Sequence, residues 1–132
     1  NVQGLTNLQK LECDKNKLSA LYVQGLTALK ELSCSENQLP ELNVQGLINL
    51  KRLYCYINKL DATVMTKLLT DLPTRTKSDD AQAVLYAERA DEGNCKNFIS
   101  TSPELSAAFN NAKLVKLWAM KKLKLNGRFE NI

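Results

Sequence analysis

Short runs of strict apolar/polar alternation, joined by irregularly spaced apolar residues, fill the first half of the chain. In Lys10-Leu11-Glu12-Cys13-Asp14, Leu11 and Cys13 alternate with charged residues, the pattern of a strand buried on one face. The same phase returns at Leu32 and Cys34, and again at Leu53 and Cys55. Between these runs Leu18, Leu21, Val23 and Leu26 keep no fixed period, as a coil returning around a core requires. The interval is constant at 21 residues: Val2, Val23 and Val44 each open V-Q-G-L, and Leu8, Leu29 and Leu50 follow in step. One such unit cannot cover its own apolar edge, so copies are expected to stack, with parallel strands about 4.8 Å apart.

Stacking gives each repeated residue a structural role. Asn16, Asn37 and Asn58 follow the strands at the turn. There an amide side chain can satisfy both inward-pointing carbonyls and amides, which an apolar residue cannot do. Cys13, Cys34 and Cys55 form a second column. They are expected to pack as small hydrophobes. A disulfide between neighbouring strands is the alternative, although three thiols cannot all pair. Zinc is the other, but the short Cys-x₂₋₄-Cys spacing typical of zinc sites is missing. No metal ligand set and no cofactor is therefore expected. Cys95 stands outside the column, in Asp-Glu-Gly-Asn-Cys.

The unit L-x-x-L-x-C-x-x-N-x-L followed by L-x-V-x-G-L resembles the leucine-rich repeat, and most closely that of internalin-like bacterial surface proteins. The resemblance covers roughly residues 1–68 and implies a solenoid with a short parallel sheet lining its concave face. It further implies protein or glycan recognition through that face, outside the cell or on its surface.

The period lapses after Asp61. Met65 and Leu68 fall on the beat, but Asp71 replaces the next leucine and Pro73 follows. Residues 61–72 read as a helix capped by Asp61 or Thr63, 73–80 as a loop, 83–88 as a strand and 89–98 as a loop. Ser102-Pro103-Glu104 starts a helix over 102–120 whose end the pattern does not fix. Residues 122–132 alternate at Leu123 and Leu125 and then reach Asn126-Gly127, giving a hairpin or a last strand with a frayed tail. The fold expected is α/β: three repeats over 1–62, with an α/β cap over 63–132 that extends the sheet and packs on the repeats as one domain. The chain opens mid-repeat, so further repeats upstream or a bare N-terminal edge are expected.

Composition narrows the function. The chain has 132 residues, a net charge of +4 and no histidine, so it lacks the commonest general base and metal ligand. Nucleophile triads, H-E-x-x-H, and the P-loop and dinucleotide fingerprints are missing as well, and no enzyme is expected. Asp79-Asp80 and Asp91-Glu92 read as solvated loop residues; the second pair, with Asn94, lacks the spacing of a calcium loop. Lys113, Lys116, Lys121, Lys122, Lys124 and Arg128 make a modest basic cluster. It could meet an anionic surface but is too weak for nucleic-acid binding. No stretch is apolar enough to span a membrane.

What remains is the outward face of the strands. Its columns are Lys10, Glu31, Arg52; Glu12, Ser33, Tyr54; and Asp14, Ser35, Tyr56. Arg52, Tyr54 and Tyr56 are the foremost contact candidates, since Tyr and Arg supply large area and hydrogen bonds together. Equally, the tyrosines could cover the junction with the cap, Tyr56 leaning on Tyr86. The expectation is a monomeric binding module for a protein or glycan. A structural spacer within a larger surface protein is the alternative.

Overall fold

The computed structural model describes residue 2 and residues 4–132. Asn1 and Gln3, within the first expected repeat, lie outside the described residues. Among the described residues the chain is α/β, with six strands in one mostly parallel sheet and two helices. Strands β1 (Lys10–Glu12), β2 (Glu31–Ser33), β3 (Arg52–Tyr54), β4 (Gln82–Ala87), β5 (Ala119–Leu123) and β6 (Phe129–Asn131) lie side by side in chain order. Leu11 faces Leu32 and Leu32 faces Leu53, so a 21-residue step brings each residue beside its own counterpart. The strands end at Glu12, Ser33 and Tyr54, earlier than the alternation through Asp14 indicates. Cys13 N–H still donates to Ser33 O at 2.9 Å and Lys15 N–H to Ser35 O at 3.0 Å. Then Lys15, Glu36 and Ile57 turn the chain inward with φ of 56°, 57° and 54°. This left-handed conformation is disfavoured most for the β-branched Ile57.

Each turn leaves strand-end carbonyls pointing into the fold, and the asparagines meet them. Asn37 Nδ2 donates to Cys13 O and Cys34 O, both at 3.0 Å, while its Oδ1 accepts from Leu18 N–H at 3.1 Å. One unit later, Asn58 donates to Cys34 O and Cys55 O, both at 3.1 Å, and accepts from Leu39 N–H at 3.0 Å. Each amide thus ties its own strand to the preceding one. Asn16, on the exposed first unit, donates to Cys13 O and Asp14 O within its own turn.

The cap continues this arrangement by other means. Helix α1 (Ala62–Asp71) carries the chain from β3 to its parallel neighbour β4, which needs such a crossover. Asp61 caps it, accepting from Val64 N–H at 2.9 Å, and it buries Met65, Leu68 and Leu69. The loop expected over 73–80 contains a 3₁₀ turn, Lys77–Asp79. Helix α2 (Pro103–Leu114) starts at the Ser102 cap, packs against α1 and leads to β5.

It stops well short of residue 120 because Trp118 is buried. The Trp118 N–H donates to Ala112 O at 3.0 Å, its indole N–H donates to Pro73 O at 2.7 Å, and Leu117 takes φ of 62°. The chain therefore leaves the helix early, and β5 begins at Ala119 instead of near Lys122. The Asn126-Gly127 turn, with Gly127 at φ 81°, folds β6 back antiparallel onto β5. Tyr86 stacks on Phe98, and Phe98 on Phe109, joining β4 to α2.

Residues 89–98, expected as a solvated loop, hold the fourth member of the amide ladder. Asn94 is buried; its Nδ2 donates to Cys55 O at 2.8 Å and Leu85 O at 3.0 Å, and its Oδ1 accepts from Leu60 N–H at 2.9 Å. Beside it, Glu92 accepts from the N–H groups of Ile57, Ala87 and Asn94 at 2.7, 2.8 and 2.7 Å. These bonds engage the carboxylate with backbone donors. Gly93 is required here, since a Cβ would lie 2.4 Å from Asn58 O. Of the carboxylates expected in solvent, only Asp80 and Asp91 stand mainly exposed.

Removing a buried amide strands several polar groups at once. Asn58→Ala or Asn94→Ala should each cost about 1–3 kcal/mol in urea melts, and Asn16→Ala clearly less. Equal losses at all three positions would contradict the ladder.

Candidate functional site

The outward columns are aligned by the sheet register: Lys10 beside Glu31 beside Arg52, and Glu12 beside Ser33 beside Tyr54. The cap extends them, placing Gln82 next to Arg52 and Val84 next to Tyr54, with Lys121 beyond Val84. Six of the nine candidate residues are thereby aligned in register, with Asp14, Ser35 and Tyr56 just beyond the strand ends, and the nine are not equally available.

At the N-terminal end, Lys10 Nζ sits 2.8 Å from Glu12 and 3.6 Å from Glu31. The hydrogen bond and charge of Glu12, with the charge of Glu31, raise the Lys10 pKa. In the third column Asp14 accepts from Ser33 Oγ at 2.7 Å and from Ser35 N–H at 2.6 Å. Asp14 and Ser33 therefore fasten neighbouring strands to each other. Ser35 is 1% exposed, which corrects its assignment to a solvent-facing contact surface. Small size lets its neighbours close over it.

At the cap end, Arg52 donates to Asp80 O and to Lys51 O and lies 3.5 Å from the Asp80 carboxylate. It pins the turn before β4. Tyr54 packs on Phe129 of β6, with ring centroids 5.8 Å apart. Since β3 and β6 are three strand spacings apart, about 14 Å, the two rings lean towards each other across β4 and β5. Val84, on the same face between them, is fully buried. Tyr54 and Tyr56 both have raised pKa values: burial is the main cause, followed by Glu31 for Tyr54 and by Asp14 and Glu36 for Tyr56. The expected lean of Tyr56 on Tyr86 is not what forms: Tyr86 turns into the core against Phe98.

The face is thus a ledge of two half-exposed aromatic rings beside a row of alternating charges. Sequence reasoning missed Phe129, Gln82, Val84 and Lys121 as parts of it, because they join the columns through cap strands that do not follow the 21-residue period. Only the Asn126-Gly127 turn hinted that Phe129 would return towards the sheet.

The other chemical candidates occupy structural positions. Cys34 and Cys55 are fully buried, and all four cysteines are free thiols. Burial pushes the Cys34 and Cys55 thiols far above their ordinary range and Cys13 up more modestly. Among the described residues, no group of three or more His, Cys, Asp or Glu side chains is placed to hold a metal. In the basic cluster, Lys116 donates to Thr70 O, Lys122 and Lys124 lie 3.2 and 3.5 Å from Glu88, and Lys124 also pairs with Glu130 at 3.7 Å. Half of that cluster therefore serves contacts within the cap. No helix among the described residues is long and apolar enough to cross a membrane.

A double-mutant cycle of Tyr54→Ala and Phe129→Ala should show a coupling of about 0.5–1.5 kcal/mol in stability; additive losses would mean that the ring contact is not made in solution. Under mildly alkaline alkylation of the native chain, Cys34 and Cys55 should stay unmodified until denaturant is added, because thiolate is the reactive form. Mass spectrometry of the labelled peptides checks this. No protein-family model matches the chain, and neither does any curated protein or solved structure.

Proposed function

We propose that this chain is a non-enzymatic binding module of the leucine-rich-repeat type that recognises a protein or glycan through the outward face of its parallel sheet. The observation that carries this reading is the register: three repeats stack so that unlike, variable residues align in columns over a core of identical ones. Such a surface is preorganised, so little side-chain order has to be gained on binding. The Tyr54–Phe129 ledge supplies apolar area, and Lys10, Glu12 and Glu31 supply charge of both signs. A fused aromatic and mixed-charge surface suits a protein epitope or a sugar ring stacked on an aromatic face better than a uniformly charged polymer. A bacterial surface or secreted setting accords with the same repeat resemblance.

A structural spacer is the second reading, favoured by Arg52, Asp14 and Ser33 being used to fasten the fold. Screening the immobilised chain against a glycan array and a library of displayed protein domains separates the two. For a bound target, Glu31→Lys and Tyr56→Ala should each weaken affinity by about 1–2 kcal/mol while the melting temperature stays close to wild type. Affinity indifferent to both changes would remove the outward face from recognition.

A further inference from the structure

Charge is distributed unevenly along the outward face. Towards the first strands, the Lys10 ammonium is shared between Glu12 and Glu31, at 2.8 and 3.6 Å. Asp14, beside them, accepts from Ser33 Oγ and Ser35 N–H, neutral donors that leave its charge in place. Three carboxylates thus face one ammonium, and this half is net negative. Towards the cap the sign reverses. Arg52 is matched by Asp80, but Lys121 meets no carboxylate among the described residues. Between the two halves lies the Tyr54–Phe129 ledge. The charge of Glu31 reaches it, being the second cause, after burial, of the raised Tyr54 pKa.

The spacing of these features matches one kind of ligand. Glu31 is on β2 and Lys121 on β5, three strand spacings or about 14 Å apart. In an extended peptide lying across the strands, residues i and i+4 are about 13 Å apart, and i, i+2 and i+4 point to the same side. A segment with residue i over Glu31 therefore brings i+2 onto the ledge and i+4 to Lys121. Complementary charge requires a basic side chain at i and an acidic one at i+4. The two rings between them suit an aromatic or branched apolar side chain. A polysaccharide fits less well. Its carboxylates would suit Lys121 but be repelled at Glu31 and Asp14, and neutral sugars would leave both ends without a counter-charge.

We propose that the outward face binds an extended protein segment laid across β2 to β5, with a basic residue over Glu31 and Asp14, an apolar residue on the Tyr54–Phe129 ledge and an acidic residue at Lys121. Either chain direction satisfies this order. The inference rests on the outward face being the recognition surface, and it narrows the partner from protein or glycan to protein.

The test is parallel selection of a displayed random-peptide library on the immobilised chain, with wild type set against Glu31→Lys and Lys121→Glu. Circular dichroism checks that each variant is folded. Lys121→Glu removes no side-chain hydrogen bond or ion pair among the described residues, so its effect reports on binding. Wild type should enrich peptides with a basic and an acidic residue four apart around an apolar one. Glu31→Lys should replace the basic preference by an acidic one, and Lys121→Glu the acidic preference by a basic one. A synthetic peptide of the wild-type pattern should bind each variant at least about tenfold more weakly, and reversing its matching charge should restore binding. Peptides enriched with the same charges on all three proteins would overturn the proposal, as would no enrichment on wild type. In that last case, glycan-array binding that Tyr56→Ala abolishes would keep the recognition reading and discard only the protein segment; binding to neither would discard both.

Discussion

The asparagine side chains that bridge successive strand ends are the constraint on which the rest of the structure depends. Each strand closes with a left-handed residue, Lys15, Glu36 or Ile57, which turns carbonyls of the strand end into the interior. In a medium without water those carbonyls must find donors. One amide reaches two of them and, with its oxygen, takes a backbone N–H from the preceding coil. Rung spacing is thereby fixed from the polar side as firmly as the stacked leucines fix it from the apolar side. Each rung is completed by its neighbour, so stability is shared between neighbours instead of belonging to any single unit.

The two ends of the stack solve the resulting edge problem differently. At the C-terminal end the chain abandons the repeat but keeps its chemistry. Asn94 and Glu92 reach back to the backbone that Asn58 and its turn leave open. The close approach of Gly93 to Asn58 permits this. Two helices then cover the core, and β5 and β6 carry the sheet onward. At the N-terminal end none of this happens among the described residues: Asn16 bonds within its own turn, and Leu11 and Cys13 are only partly covered. Among the described residues the first rung is thus less covered than the last.

On the outward face, several candidate residues also hold the fold together. A strand of three residues cannot hold its neighbour by backbone bonds alone, so Asp14 and Ser33 add cross-strand bonds, and Arg52 anchors the turn into β4. Tyr54 is drawn towards the cap by Phe129. The part of this face left free is narrower than the nine candidate positions, because Ser35 is buried and Asp14, Ser33 and Arg52 are engaged within the fold.

Most of the repeat region was readable because its information is periodic. Leu11, Leu32 and Leu53 announce strands and register together, since a fixed 21-residue interval in parallel stacking leaves each residue opposite its own copy. The amide ladder at Asn16, Asn37 and Asn58 follows from the same arithmetic and from the need to satisfy buried carbonyls. Asp61 and Ser102 marked their helices through local capping chemistry. Asn94 could not be read in this way. It lies 36 residues after Asn58, and its burial depends on α1 and β4 bringing a distant loop under the last repeat. The early end of α2 is of the same kind: Trp118 is buried, with its indole N–H donating to Pro73 O, 45 residues away along the chain. Local pattern thus determined the strands, their order in the repeats and the ladder, all of which rest on near-neighbour physics. Tertiary structure alone decided how the stack is closed and which outward residues stay free, because those outcomes depend on contacts between segments whose spacing carries no period.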